Sequence, residues 1–195
     1  MIEFFGFLGG ALGIGAGLPQ IYKILKLKHA IGLNQTTWIL IYSATLSWTA
    51  YGFRIHSTSA IVCNIVASAI NAFILFKIVS RKLRLFLPFY TLLVFLSALK
   101  ISSFVLSAFL IGLTFAQLPQ LRNSIHSYKN NRDSAVSLGT LTAALASYSC
   151  WATYGFLSSL PTVWATSIIG FTLSLLIYSL ESSFFRGRLP ITMSN

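Results

Sequence analysis

The chain has 195 residues, 55% of them hydrophobic and 9% charged, and its 14 Lys+Arg against 3 Asp+Glu give a formal net charge of +11. A soluble domain carries about a quarter charged residues, so this stock cannot cover a water-facing surface. A mean hydropathy of +0.77, spread along the whole length, predicts several bilayer-spanning helices of about 20 residues each.

A nucleic-acid-binding domain would present its cations on an exposed basic face, so no nucleic-acid partner is expected and the lysines and arginines are read as topology determinants. Cys63 and Cys150 each sit inside an apolar run and read as small core residues rather than a disulfide or metal pair. Met1-Ile2-Glu3 before Phe4 lacks the basic region of a signal peptide, so the first apolar run is expected to be a retained helix.

In chain order the predicted spans are Phe4–Ile24, Thr36–Phe53, Ser59–Val79, Leu85–Leu99, Ser102–Gln120, Val136–Phe156 and Thr162–Leu180. Leu85 to Gln120 is 36 residues, about 54 Å of helix. A hydrocarbon core of about 30 Å makes that two spans. Twelve of the 14 cations then fall after spans one, three and five or in the tail: Lys23, Lys26, Lys28, Lys77, Arg81, Lys82, Arg84, Arg122, Lys129, Arg132, Arg186 and Arg188. Only Arg54 and Lys100 fall on the other side. The positive-inside rule places the N-terminus outside and the C-terminus in the cytoplasm. Asn34-Gln35-Thr36, a glycosylation sequon, is then cytoplasmic and expected to be unmodified.

Leu18-Pro19-Gln20 recurs as Leu118-Pro119-Gln120, an offset of 100, and Trp48-Thr49-Ala50-Tyr51-Gly52-Phe53 recurs as Trp151-Ala152-Thr153-Tyr154-Gly155-Phe156, an offset of 103. Two motifs in the same order at nearly one offset indicate a duplicated three-helix unit. Three helices invert the chain, and the extra fourth span restores its direction. The predicted fold is all-α: seven transmembrane helices forming two parallel triple-helix bundles around a linker helix, a 3+1+3 layout known among small transporters. The division is 1–80 for the first repeat, 81–100 for the linker, 101–182 for the second repeat and 183–195 for a cytoplasmic tail.

Pro19 and Pro119 each remove a backbone donor and free the carbonyl of Gly15 or Phe115, predicting kinks that face protein or a wet cavity. Gly9, Gly13 and Gly17, and Ala108, Gly112 and Ala116, repeat every four residues and predict close helix packing; the glycines lack the spacing and strand context of a dinucleotide site. Asn64, Ser68 and Asn71 share one face of the third span, and Ser167 and Ser174 stand at the offset positions of the two asparagines. Polar groups inside spans need a partner or a cavity. Trp48 and Trp151, with Tyr51 and Tyr154 one turn further toward the predicted exterior, offer flat apolar faces. With Asn64 they suit a polyol or sugar ring.

The paired Pro-Gln motifs, the spacing of 16 from Trp48 to Asn64 and the 3+1+3 layout resemble the PQ-loop, SWEET and SemiSWEET sugar-transporter superfamily, over both repeats. The resemblance implies two bundles that rock about the kinks and expose a central site to each side in turn. By position, Trp48, Asn64 and Trp151 resemble the family's substrate-contacting residues. Tyr51 and Tyr154 look like extracellular gates, and Pro19, Gln20, Pro119 and Gln120 like the hinge and cytoplasmic gate. Ser167 departs from the pattern where an Asn is expected, which implies an asymmetric site.

Relatives such as cystinosin couple transport to protons through embedded aspartates, as the resemblance has it. Here the acids are Glu3, Asp133 and Glu181, near span ends or in a loop, so no buried carboxylate is expected. His29, His56 and His126 fall in predicted loops, and no nucleophile, base and acid set can be assembled. No enzyme, metal or cofactor is expected. The reading is a facilitative carrier, in the plasma membrane, of a small neutral polar solute, most simply a mono- or disaccharide, bound by Trp48, Asn64, Trp151, Ser167, Asn71 and Ser174. Its partners are the lipid bilayer and that solute, with a homo-oligomer left open. The alternatives are an amino-acid carrier of the same fold, driven by protons or not, and a non-transporting receptor or adaptor, as the resemblance to KDEL receptors allows.

Overall fold

The computed structural model describes residues 1–27, 35–130 and 137–187, leaving aside the side chains at 17, 19–27, 37 and 183–187. The described helices are α1 (Ile2–Leu27), α2 (Gln35–Arg54), α3 (Thr58–Ile78), α4 (Arg81–Lys100), α5 (Ser103–Thr114), α6 (Leu118–Lys129), α7 (Leu138–Leu157) and α8 (Pro161–Gly187). A 3-10 turn, Phe115–Gln117, joins α5 to α6, so these helices make seven passes.

Among the described residues, four stretches are long and apolar enough to cross a membrane: Thr58–Ile78, Arg81–Lys100, Ser103–Lys129 and Pro161–Ser182. α2 and α7 are not among them. They carry the Ser, Thr, Trp and Tyr side chains that face inward, several of them buried, such as Ser47, Thr49, Tyr51, Ser147 and Tyr154, so protein rather than lipid receives their polarity.

The duplication is visible atom by atom in the α2–α3 and α7–α8 turns. Among the described residues, His56 and Ser159, at the offset of 103, are the non-glycine residues with positive φ, 54° and 55°. The amide of Ser57 donates to Gly52 O at 3.0 Å and that of Leu160 to Gly155 O at 2.8 Å, the bond of a Schellman stop. Glycine is required before each turn because the next helix begins on top of it. A Cβ at Gly52 would lie 3.0 Å from the Ile61 amide, and one at Gly155 only 2.6 Å from that of Trp164. Serine caps start α3 and, after the linker, α5: Ser57 accepts from the Ala60 amide at 3.1 Å and Ser102 from that of Val105 at 3.3 Å.

α3 packs between α1 and α2, and α8 between α7 and the α5–α6 pass. The bundles meet along α1 with α7 and along α2 with α5. The starts of α1, α3, α5 and α8 and the ends of α2, α4 and α7 gather at one end, the Glu3 end. This makes the two bundles parallel. The linker α4 lies on α2, through Tyr42 Oη to Thr91 Oγ1 at 2.6 Å, Ser43 Oγ to Tyr90 Oη at 2.5 Å and an edge-on Phe53–Phe95 pair. Its other face, with Leu85, Phe86 and Phe89, is exposed and apolar, as suits lipid.

Two expectations change here. Arg81, Lys82 and Arg84 lie in the first turn of α4 and Arg122, His126 and Lys129 on α6, not in loops. The helix outlasts the apolar run there because its last turns are amphipathic, with Ser124 inward. The Ala108, Gly112, Ala116 stripe does not pack on a neighbour. All three are exposed, and a Cβ at Gly112 would meet nothing within 4 Å. The Gly9 and Gly13 stripe does pack, as expected, while Gly17, Lys23, Lys26, Lys28, His29, Asn34, Arg132, Asp133, Arg186 and Arg188 fall outside the described side chains.

Candidate functional site

α1 is narrow because glycine lines it, and it slots between α3 and α7. A Cβ at Gly10 would overlap Cys63, and one at Gly9 would stand 2.9 Å from the Trp151 ring. The close approach also lets the buried Ser147 hydroxyl donate to Gly9 O at 2.7 Å. Between the bundles lies a cavity of about 430 Å³. Trp48 and Asn64 line it from the first bundle and Trp151 and Ser167 from the second. Four of the six expected solute contacts are therefore brought together.

The two tryptophans are held alike. Trp48 meets Tyr51 edge to face at 5.5 Å and 81°, and Trp151 meets Tyr154 at 5.6 Å and 88°, an arrangement favoured by the ring quadrupoles. Asn64 donates from Nδ2 to Ala60 O at 2.9 Å, which fixes its amide and leaves its oxygen unengaged by that bond. Ser167 is buried and short. The cavity lining carries no charged side chain among the described residues, a composition that suits a neutral polar solute.

Asn71 and Ser174 stand behind the wall rather than in it. Asn71 Nδ2 donates to Thr45 Oγ1 at 3.5 Å, and Ser174 Oγ donates to Gln117 Oε1 at 3.2 Å. Among the wall residues that escaped the sequence reading are Gln117 and Tyr148, which are joined at 2.6 Å. The signal for Gln117 was a carboxamide inside an apolar span, three residues before Gln120, overshadowed by the Pro-Gln motif itself.

Tyr51 and Tyr154 are buried, with Leu106, Leu110 and Val163, in an apolar cluster that borders the cavity at the Glu3 end. Tyr154 Oη donates to Glu3 Oε1 at 3.0 Å and lies 2.5 Å from Ser57 Oγ, while Glu3 Oε2 accepts the Ser59 amide at 2.7 Å. The carboxylate thus satisfies a free N–H in the first turn of α3 and ties α1 and α3 to α7. Arg54 closes the neighbouring corner, donating to Ile101 O at 2.7 Å and Ser103 Oγ at 2.6 Å, a cation at the end of α4.

At the opposite end Pro119 follows the 3-10 turn and is exposed, and Gln120 Nε2 donates to Ser124 Oγ at 3.4 Å. α1 passes through Pro19 as one helix, so the break belongs to the second repeat. The side chains of Pro19 and Gln20 lie outside the description. Glu181 overturns the expectation that no carboxylate is buried. Because α8 continues to Gly187, Glu181 lies inside the helix, 2% exposed, and accepts from Ser124 Oγ at 2.6 Å. It is not part of the cavity lining.

Residues 1–61 match the family described as PQ loop repeat. A sugar transporter SemiSWEET of Vibrio sp. (strain N418) is 46% identical over 39 residues, 19% of this chain and 40% of that relative. The chain thus matches less than half the length of that curated relative. A solved structure, a eukaryotic SWEET transporter at 3.7 Å, superposes with a TM-score of 0.72 over 95% of this chain and 99% of the other, at 15% identity. That likeness shows a shared fold. The three findings point one way: residues 1–61 are similar to the PQ loop repeat, a short segment is similar to a SemiSWEET, and the whole chain shares the fold of a SWEET transporter.

Proposed function

We propose that this protein is a facilitative alternating-access carrier, a uniporter, of a small neutral polar solute, most simply a mono- or disaccharide. One observation carries the reading. An uncharged cavity, walled by Trp48 and Asn64 on one bundle and Trp151 and Ser167 on the other, lies between two halves joined at the Glu3 end. A solute held by both halves is released when they part at the other end. The relatives named as a sugar transporter and a SWEET transporter support the same class. Binding of about millimolar strength, about −4 kcal/mol, suits a carrier that must let go.

In this reading Tyr51 and Tyr154 are the gate at the Glu3 end, and Pro19, Gln20, Pro119 and Gln120 form the hinge and gate at the other. Asn71 and Ser174 support the wall from behind. Residues 1–80 and 101–182 are the moving units, 81–100 the linker and 183–195 the tail. The charge distribution supports an N-terminus outside and a cytoplasmic C-terminus, and in this reading the carrier sits in the plasma membrane.

Proteoliposomes loaded with labelled sugars test this. We expect saturable counterflow that Asn64→Ala lowers at least tenfold; equal exchange by the variant would remove Asn64 from the site. Glu181 favours one second reading, a proton-driven carrier, because it sets a carboxylate inside the second bundle, bonded to Ser124 of α6. Flux that follows an imposed pH gradient and is lost in Glu181→Gln would replace the uniporter with that carrier.

A further inference from the structure

The second repeat has a hydroxyl, Ser167, where the first has the carboxamide of Asn64. The structure shows a second carboxamide in the cavity wall, on a different span. The offset of 100 pairs Gln117 with Gly17, and the offset of 103 pairs Tyr148 with Thr45 and Ser174 with Asn71. In the first bundle the Asn71 amide reaches Thr45 directly, behind the wall. In the second bundle Gln117 is inserted between the matching pair, accepting from Ser174 and donating to Tyr148 at 2.6 Å. The amide has moved from the last helix of the repeat to the 3-10 turn of its first, and thereby from behind the wall into it.

That placement leaves hydrogen-bonding capacity facing the solute space. A carboxamide has two N–H groups and two acceptor lone pairs, and a phenol one O–H and two lone pairs. The bonds to Ser174 and Tyr148 use one of each on Gln117, and Tyr148 accepts from Gln117 and keeps its own proton. One N–H, two lone pairs and one O–H remain. The side chains are held still as well. Gln117 is fixed at both ends of its amide, and the Tyr148 ring seats against Gly170, where a Cβ would overlap it. Fixed donors that need no ordering on binding are what a weak, selective site uses.

We infer that Gln117 and Tyr148 form a second solute-contacting half-site, on the opposite bundle from Asn64, which reads one hydroxyl of the solute and takes the place of the carboxamide absent at Ser167. This rests on the carrier reading. A bundle brace alone would also use the Ser174–Gln117–Tyr148 chain, so the test must separate contact from support.

The full chain is reconstituted, and counterflow of glucose and its monodeoxy analogues is measured for wild type, Gln117→Leu and Tyr148→Phe. Intrinsic tryptophan emission is titrated with the same sugars. We expect wild type to discriminate against particular deoxy positions. Gln117→Leu should raise the half-saturation for glucose about tenfold and erase the discrimination at one position while keeping it at the others. Tyr148→Phe, which removes a single oxygen and keeps the ring, should weaken discrimination at that same position. A variant with a lower maximal rate but an unchanged half-saturation and analogue profile would make Gln117 a brace and overturn the half-site. Wild type that moves none of these sugars would overturn the carrier reading first and the half-site with it.

Discussion

Glu3 is the second acidic group that the fold puts to use, and its neighbours say how. It stands in the first turn of α1, where a carboxylate is favoured by its own helix, and it also satisfies the Ser59 amide of α3 and the phenol of α7. A neutral amide can keep only part of this, because charge-assisted bonds are roughly twice as strong. Glu3→Gln should therefore destabilise the purified protein by about 1–2 kcal/mol, read as a lower melting temperature in detergent. Tyr154→Phe should lie in the same direction, and the double variant should lose less than the sum of the two, since both changes act on the Tyr154–Glu3 bond. Full additivity in the double variant would mean that the two side chains act separately. This contact could not be read from sequence: Glu3 and Tyr154 are 151 residues apart, and nothing in either neighbourhood names the other. Trp48, Asn64, Trp151 and Ser167 were legible because the repeat printed them twice. Gln117 was not, since the repeat offers glycine in its place.

At the scale of elements, the duplicated Tyr-Gly-Phe segments mark where a helix must stop and let the next one start against it. The approach is tighter in the second copy, 2.6 Å against 3.0 Å for an added Cβ to the facing amide. Backbone cannot move aside as a side chain does, so Gly155→Ala should cost about 1–3 kcal/mol and Gly52→Ala less. Thermal melts of the two variants give the order, and equal losses would contradict the difference in approach. The helix ends at these turns were readable to within a few residues. The far end of the fifth span was not, because α6 continues past the apolar run on an amphipathic stretch that hydropathy alone assigns to a loop. The same continuation of α8 is what buried Glu181.

Across the whole molecule, the apolar cluster packed at the Glu3 end predicts that the cavity is reached from the Pro119 end. Cys63 lines that cavity, and Cys150, packed beside Gly9, does not. In a Cys150→Ser background, a membrane-impermeant thiol reagent should label Cys63 several-fold faster from the Pro119 side than from the Glu3 side. A bound sugar should slow the reaction. With the proposed topology the fast side is the cytoplasm, so inverted vesicles should label and right-side-out vesicles should not. The reverse preference would overturn both the orientation and the closed end. The parallel bundles were legible because the repeat offset and the loop charges impose one parity, whereas which end is shut depends on side-chain packing that no local pattern encodes.

The two seams between the bundles are built unequally. Along one, α1 lies in α7 through Gly9 and Gly13 and is fastened by Ser147 and Glu3. Along the other, α2 reaches α5 through its last turns, Ala50, Tyr51 and Arg54 against Leu106 and Ser103, while Gly112 further down faces open space. The first seam is the spine of a book and the second its fore-edge. A pair of identical half-chains would have two spines or two fore-edges. The fused chain has one of each, so neither repeat, duplicated, can rebuild this molecule, and the covers have one edge along which to part.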